Sequence, residues 1–396
     1  MRILIAAASF ATNMSGLQRH ALNVARCLLL EPEISTLHFV IAPWQQSFFQ
    51  AEGFLQNARI VTHVAEMDRS SLSRNLWYYR KLPELAAQLA ADLVHLSYPM
   101  PVNAAAFNCP TLVTLHDLYP YEKPMNFGFP KFIFNRVVLQ QCLRNIDSIA
   151  CVSDITLLRL KKYVPAAVAR KAVRIYNCIE AEPIRNPQPP HPNWLNQPFL
   201  LCVAQHRRNK NIPLLIRTFH RMLRAGQLVP EMKLMIVGIA GPETPKIHRL
   251  VSTLLLDDKV CFLEGVSDSE LQWCYMQCQA VVSPSTVEGF GLPIAEALLA
   301  GCRIVCSDIP AYREVGDGHC RFVALEKNAE KMLASAIVAS LQEPKGLPRT
   351  LQQFSAPVLT REYTSLYRRL IASANSFVTA AAVASIDPAV SERQSL

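Results

Sequence analysis

The sequence lacks the patterns that mark several large classes of protein. Among its 396 residues, no uninterrupted apolar run reaches about 18 residues, the length that predicts a membrane-spanning helix. Its 12 cysteines include no C-x-x-C pair, so their spacing indicates neither a zinc site nor a redox pair. Because many of these cysteines lie in apolar segments, they are typical of reduced, buried residues in a reducing compartment.

Motifs for bound nucleotides and metals are missing too. No G-x-G-x-x-G follows the first predicted strand, which counts against a dinucleotide cofactor. No G-x-x-x-x-G-K-[ST] is present, which counts against a P-loop ATPase. No D-x-D triplet follows an apolar strand, so a metal-bridged diphosphate is not indicated. We therefore expect neither a metal ion nor a cofactor.

The composition that remains predicts two folded domains. The chain is 51% hydrophobic and 18% charged, and its length fits two domains of ordinary size. Strand-like and helix-like segments alternate, which predicts parallel sheets with helices on both faces. A Pro-rich span at 181–198 predicts a linker between a first domain at 1–180 and a second at 199–355.

The predicted strands fall into two series, one on each side of this linker. Those of the first domain are 2–8, 37–42, 59–64, 93–96, 111–115, 148–152 and 173–176, and those of the second are 199–204, 233–238, 260–263, 280–283 and 303–307. The first apolar run is short and leads through a polar loop into an amphipathic helix at about 17–30. We interpret it as a strand of the fold and not as a cleaved leader, and we expect a cytoplasmic protein.

One block, Val281–Ser307 (VVSPSTVEGFGLPIAEALLAGCRIVCS), predicts a strand, a Gly-rich turn, a helix and a second strand. Pro293 suits the start of the helix and Gly301 the position just past its end. Backbone N–H groups at the helix start would form an anion site. The residues that would contribute them are Gly289, Phe290, Gly291 and Leu292.

Two carboxylates flank this turn. Glu288 and Glu296 would lie at the carboxyl ends of the strands, where ligands bind in open α/β sheets. Because carboxylates accept hydrogen bonds from hydroxyl groups, an anion site beside them suits a sugar nucleotide. The alternative is that Glu296 only complements the helix dipole and Glu288 is a solvated loop residue.

The block resembles the E-x7-E signature of retaining GT-B glycosyltransferases of the family-four type. The resemblance extends to the preceding Ser283–Ser285 segment, SPS, and covers residues 1 to about 371. It implies two Rossmann-like α/β domains that face each other across a cleft. It also implies a terminal helix at 356–371 that crosses back to the first domain. Residues 372–396 are small, polar and aperiodic, and we expect them to be disordered.

The resemblance also implies roles for residues of the cleft. Glu296 would bind the ribose hydroxyls and Glu288 the donor sugar. After strand 199–204, a cationic loop opens a helix and predicts a phosphate-binding surface, unless it is an ordinary solvated charge run. Lys210 matches a family lysine that neutralises the diphosphate. Gln205 occupies the usual arginine position, so Arg207 or Arg208 would substitute for it.

Three further positions complete the predicted site. His116 ends strand 111–115 in TLHDLYP and resembles a family histidine that hydrogen-bonds the donor sugar, although Asp117 beside it could be only a cap. Gly16 resembles the family's Gly-rich loop, where the protein backbone approaches donor or acceptor closely and a residue without a side chain is needed. Gly238 follows its strand and is expected to line the nucleotide pocket.

These features together predict a metal-independent glycosyltransferase that moves a hexose onto a hydroxyl acceptor, and the family resemblance implies that the anomeric configuration is retained. The segments TLHDLYP and SPSTVEGFGLP look most like bacterial mannosyl- or hexosyltransferases of surface-polysaccharide assembly. That resemblance implies GDP-mannose as donor and a lipid-linked oligosaccharide or polysaccharide as acceptor. Two alternatives are a nucleotide-sugar 2-epimerase with a similar pair of domains and a non-catalytic basic binding protein.

The net charge of +9 suggests a further partner. No RNA- or DNA-binding signature accompanies it, so we do not expect nucleic acid. Basic residues and the aromatic segment at 127–134 suit an anionic membrane surface, which would place the protein at the inner face of a membrane. The same segment could equally be an ordinary helix that packs on its domain. The basic residues concerned are Arg159, Lys161, Lys162, Arg170, Lys171 and Arg174.

Overall fold

The structure is a computed structural model that describes residues 1–12, 15–50, 53–124, 128–179, 186–191, 197–316 and 318–386. These residues form two α/β domains, each built around its own fully parallel sheet. The predicted fold class of two Rossmann-like domains is therefore confirmed. The predicted linker at 181–198 falls largely on residues outside the described ranges.

The first domain contains a seven-stranded sheet. Its strands are β1 (Arg2–Ala6), β2 (Thr36–Ile41), β3 (Ile60–Val64), β4 (Leu93–Leu96), β5 (Thr111–Leu115), β6 (Ser148–Cys151) and β7 (Ala172–Arg174). The strand order is β3-β2-β1-β4-β5-β6-β7, with Ile5 of β1 opposite both Phe39 and His95. Strands β2 and β3 are added on one side of β1, and β4 to β7 on the other. At such a switch in strand order a crevice is expected at the carboxyl ends of β1 and β4.

The second domain contains a six-stranded sheet that is also fully parallel. Its strands are β8 (Phe199–Val203), β9 (Lys233–Val237), β10 (Val260–Leu263), β11 (Ala280–Ser283), β12 (Ile304–Ser307) and β13 (Arg321–Val323), in the order β10-β9-β8-β11-β12-β13. Every predicted strand overlaps an observed one. Strand β13 was not predicted, because three residues beginning with Arg321 carry too short an apolar pattern.

Helices cover both faces of the two sheets. They are α1 (Gly16–Leu29), α2 (Gln46–Gln50), α3 (Ser71–Leu76), α4 (Leu82–Gln88), α5 (Tyr119–Glu122), α6 (Lys131–Asn145), α7 (Asp154–Tyr163), α8 (Ala166–Ala169), α9 (Ile212–Arg224), α10 (Thr244–Thr253), α11 (Asp268–Gln277), α12 (Leu292–Leu299), α13 (Pro310–Gly316), α14 (Ala329–Gln342) and α15 (Ala356–Ile386). A π-helical turn at Trp77–Lys81 joins α3 to α4. Short 3-10 segments lie at Pro43–Gln45, Gly53–Gln56, Ala104–Ala106, Arg208–Lys210 and Gln352–Phe354.

Apolar periodicity explains how these elements pack. Strands β4 and β5 are buried along their whole length, as expected for a parallel sheet covered on both faces. Helix α1 buries Ala21, Val24 and Leu28 against the sheet at helical spacing, as the sequence predicts. Each such large apolar side chain contributes about 1.5–3 kcal/mol when fully buried.

Helix α15 packs on the first domain although it follows the second along the chain. Leu359, Tyr363 and Tyr367 are buried in the same apolar cluster as the sheet-facing side of α1. The helix continues through 372–386, which corrects the expected disorder there; this segment is rich in alanine, the strongest helix former. Residues 387–396 lie outside the described part. No described helix, α15 included, is long and apolar enough to span a membrane.

Candidate active site between the two domains

The turn between β11 and α12 lies against the first domain, and two of its glycines are required there. Gly291 has φ +111°, and a side chain on it would collide with Tyr312. A Cβ on Gly289 would lie 1.8 Å from the His116 carbonyl oxygen. The turn can therefore meet the first domain only because glycine has no side chain. Gly289, Phe290, Gly291 and Leu292 lie together at the start of α12, and Gly301 follows its end with φ +70°.

Glu288 is buried in this turn, and both oxygens of its carboxylate have partners. Its Oε1 lies 2.6 Å from Lys210 Nζ and accepts a hydrogen bond from the Tyr312 hydroxyl at 3.3 Å. Its Oε2 accepts from the Tyr119 hydroxyl of the first domain at 3.1 Å. Only 6% of Glu288 is exposed. The ion pair with Lys210 and the two phenol hydrogen bonds offset the cost of burying its charge.

The two tyrosines remain hydrogen-bond donors under ordinary conditions. Burial, reinforced by the negative charge of Glu288, raises the pKa of Tyr119 and of Tyr312 well above the usual value. Both phenols therefore keep their protons. Glu288 consequently has donors from both domains aimed at it, and sequence reasoning missed both tyrosines.

Lys210 is held by the short 3-10 turn Arg208–Lys210 that follows β8. Asn209 anchors this turn: its Nδ2 lies 3.3 Å from the Tyr119 hydroxyl and 3.3 Å from the Val287 carbonyl oxygen. Its own carbonyl accepts the Thr286 N–H at 2.8 Å. The sequence did not single out Asn209, although it lies inside the cationic loop predicted to bind phosphate.

The two candidate arginines of this loop differ in position. Arg207 is half-buried and its positive charge acts on the carboxyl group of Asp117 in the first domain, whereas Arg208 is exposed. Burial raises the pKa of Asp117 to about 6, opposed by the Tyr119 N–H and by Arg207. Asp117 Oδ1 accepts that N–H at 3.0 Å, so it caps the following turn. Of the two, Arg207 is the less exposed, and its charge acts on a residue of the first domain.

Glu296 lies one turn into α12 and forms a second carboxylate position. Its Oε2 accepts a hydrogen bond from the Tyr275 hydroxyl at 2.7 Å. Burial raises the pKa of Glu296, and the nearby Arg19 of the first domain and the Tyr275 hydroxyl partly oppose that rise. Arg19 also pairs with Asp268 across the cleft at 2.5 Å. Tyr275 is another partner that the sequence did not reveal.

The predicted glycines Gly16 and Gly238 have different surroundings. A Cβ on Gly16 would meet Leu292 Cδ1 at 3.7 Å, an ordinary contact, so the protein itself does not require glycine there. A Cβ on Gly238 would lie 2.1 Å from the Ala204 carbonyl oxygen. Gly238 is therefore needed for the close approach of the β9 end to the chain that follows β8.

His116 is neutral and its tautomer is set by its neighbour. Its Nε2 lies 2.8 Å from the Ser97 carbonyl oxygen, which can only accept, so Nε2 carries the proton. The other ring nitrogen, Nδ1, is left as an acceptor. Burial lowers the pKa of His116 to about 4, and the ring of His20 packs edge-on at 4.6 Å. A neutral acceptor of this kind suits a hydroxyl group.

The structure thus brings Glu288, Lys210 and the His116 backbone together. Glu296 lies on α12, the helix that follows the Glu288 turn. Within the described ranges, no group of three or more His, Cys, Asp or Glu side chains is arranged to hold a metal ion. Two carboxylates, a lysine and a helix start at the meeting point of two parallel sheets are typical of a site for a phosphorylated, hydroxyl-rich ligand.

Comparison with known families identifies the class of protein. The family model "Glycosyltransferase Family 4" matches residues 14–183, and "Glycosyl transferases group 1" matches residues 185–354. The chain belongs to the GT-B glycosyltransferases of the family-four type and is an enzyme of that class. The family that the sequence resembles is thereby confirmed.

Individual relatives refine this picture. O-antigen chain mannosyltransferase RfbU of Salmonella typhimurium is 26% identical over 60% of this chain, and the match spans 62% of RfbU. O-antigen chain mannosyltransferase B of Escherichia coli is 24% identical over 93% of this chain and 100% of that protein. The crystal structure of Anabaena HepE in complex with UDP-glucose shares the fold, with a TM-score of 0.63 at 16% identity over 97% of this chain and 100% of that one.

Proposed function

We propose that this glycosyltransferase transfers mannose from GDP-mannose, with retention of configuration, to a hydroxyl group of a lipid-linked oligosaccharide or polysaccharide intermediate. The observation that carries the proposal is the buried Glu288–Lys210 pair beside the start of α12, where the two domains meet. The mannosyltransferase names of the relatives support the choice of sugar.

In this proposal the donor lies along α12. The diphosphate occupies the positive helix start and is neutralised by Lys210 and Arg207, while Glu296, aligned by Tyr275, accepts hydrogen bonds from the ribose hydroxyls. Glu288 accepts hydrogen bonds from the sugar, and the neutral His116 offers Nδ1 to a sugar hydroxyl. Gly16 and Gly238 line the same region.

The bond changes follow from these contacts. The bond from the anomeric carbon to the diphosphate oxygen breaks, and the acceptor oxygen bonds to the same face of that carbon. The acceptor's proton passes to the departing phosphate oxygen. Glu288 is engaged by Lys210 and two phenols, an arrangement that suits binding better than nucleophilic attack. Cations and helix dipole stabilise the leaving group without a metal ion.

Domain contact gives this chemistry a dry environment. Tyr119 and His116 of the first domain lie directly against the Glu288 turn, so a bound donor sugar would be enclosed between the domains. Exclusion of water strengthens each electrostatic contact and limits hydrolysis of the donor.

We further propose that helix α6 rests on an anionic membrane surface that carries the acceptor. On the helix, 48% of Phe134 and 57% of Val137 are exposed, together with Lys131. Phe129, just before the helix, is 82% exposed. Apolar side chains flanked by cations suit a charged lipid interface. Sedimentation with phosphatidylglycerol vesicles tests this: the double variant F129S/F134S should lose binding, whereas L255S, at an exposed leucine of the second domain, should not. If F129S/F134S bound the vesicles as well as L255S and the wild type do, the membrane proposal would be refuted.

The function itself is tested by donor screening and product analysis. The purified protein is heated with GDP, UDP, ADP or dTDP and their sugars, with EDTA present, because a ligand of the native state raises the melting temperature. A shift with GDP and GDP-mannose alone supports the donor. NMR of the product then reports the anomeric configuration. Release of an isomerised sugar without acceptor would instead indicate a 2-epimerase, and loss of activity in EDTA would overturn metal independence.

A further inference from the structure

Helix α7 of the first domain begins directly against the turn that carries Glu288 in the second. Ser153, the cap of this helix, and Thr156 are both fully buried. Their hydroxyl oxygens lie 2.5 and 3.0 Å from the Gly289 carbonyl oxygen. A carbonyl has two lone pairs, so it can accept from both hydroxyls at once.

Arg159, one turn further along α7, holds the neighbouring carbonyl. Its Nη1 donates to the Glu288 carbonyl oxygen at 2.8 Å. Its Nε lies 3.2 Å from Glu122 Oε1, and this ion pair fixes the direction of the guanidinium. Two successive peptide carbonyls of the second domain are therefore bound by side chains of the first.

The second domain binds the same helix in return. Glu314, on α13, accepts the N–H groups of Asp154 at 2.6 Å and of Ile155 at 3.1 Å. These N–H groups have no partner inside their own helix, so a carboxylate at this point stabilises the helix start. Helix α13 also carries Tyr312, which donates to Glu288. The contact is thus reciprocal and centred on one turn.

We infer that Ser153, Thr156 and Arg159 are positioning residues of the transfer reaction. They fix the backbone of Glu288 and Gly289 only when the two domains are together, and through it they aim the Glu288 carboxylate at the donor sugar. The inference rests on the role of Glu288 in the proposed function. Tyr275 lies on α11 and Glu296 lies further along α12 than the bound turn, so we expect nucleotide binding to depend less on this contact than sugar transfer does.

Matched variants separate positioning from simple structural support. Thr156→Val and Arg159→Met remove the polar groups but keep much of the side-chain volume. We expect kcat to fall about tenfold to a hundredfold, since small misplacements of catalytic groups cost that much. The donor KM and the Kd for GDP should change much less than kcat. Thr156→Ser keeps the hydroxyl and should retain the wild-type kcat, as should Lys331→Met, which removes an exposed charge from α14.

Two results would overturn the inference. One is a wild-type kcat in both Thr156→Val and Arg159→Met while Glu288→Gln is inactive, because Glu288 would then act without help from α7. The other is a parallel loss of kcat, GDP binding and melting temperature, which a purely structural role would produce. A fully active Glu288→Gln would refute the proposed function itself, so the two failures are distinguishable.

Discussion

Removal of the Lys210 ammonium should leave Glu288 as an uncompensated buried charge. The side chains of Lys210 and Glu288 are only 17% and 8% exposed, so solvent screens the pair weakly. Removing one partner of a buried pair costs about 3–5 kcal/mol. The phenols of Tyr119 and Tyr312 would still donate to Glu288. We therefore expect Lys210→Met to lower the free energy of unfolding by about 3 kcal/mol, at the lower end of that range.

A double-mutant cycle measures this coupling. Urea unfolding would be followed for the wild type, Lys210→Met, Glu288→Gln and the double variant. Since the double variant buries no charge here, it should be more stable than the sum of the single effects predicts, by about 1–3 kcal/mol. Strictly additive losses would refute the view that the two groups stabilise each other. The single Lys210→Met variant should also lose transfer activity, because it lacks the cation for the diphosphate.

Three further outcomes follow from the site. Gly289→Ala should fold but lose most of its kcat, because its Cβ would collide with the His116 carbonyl oxygen; a wild-type kcat would contradict this. Tyr275→Phe should weaken GDP binding about tenfold in calorimetry, the equivalent of about 1.4 kcal/mol, through the lost bond to Glu296. Burial lowers the pKa of His95 to about 3, below its unfolded value of about 6.5, so its contribution to stability is complete above pH 6.5. About 2 kcal/mol of that contribution should be lost as pH falls to 5, which urea unfolding can measure; an equal pH dependence in His95→Gln would contradict it.

Local pattern accounts for what the sequence could predict. The strands other than β13, the first helix and the turn at Gly289–Gly291 have signals within a few residues of themselves, so these elements were predictable. The extension of α15 beyond residue 371 was missed because alanine carries little apolar periodicity, although it favours helix strongly.

The missed site residues have a common cause. Tyr119 contacts Glu288 across 169 positions of the chain, and Ser153 contacts Gly289 across 136. Such pairs form only when two separate domains meet, and no local spacing encodes that meeting. The two carboxylates could be found because they belong to one recognisable turn-and-helix motif. The groups that orient them lie elsewhere in the chain: Tyr119 comes from the first domain, and Tyr275 and Tyr312 come from other helices of the second.

The position of α15 has a consequence for the order of events during biosynthesis. Tyr367, near the far end of the chain, donates to or accepts from His95 Nδ1 at 2.7 Å inside the first domain. Leu359 and Tyr363 complete the same core. The first domain is therefore synthesised before the second but must wait for α15, which follows the second, before its apolar face is covered. Chaperones would have time to bind that face while the second domain is made, and removal of α15 should destabilise the first domain.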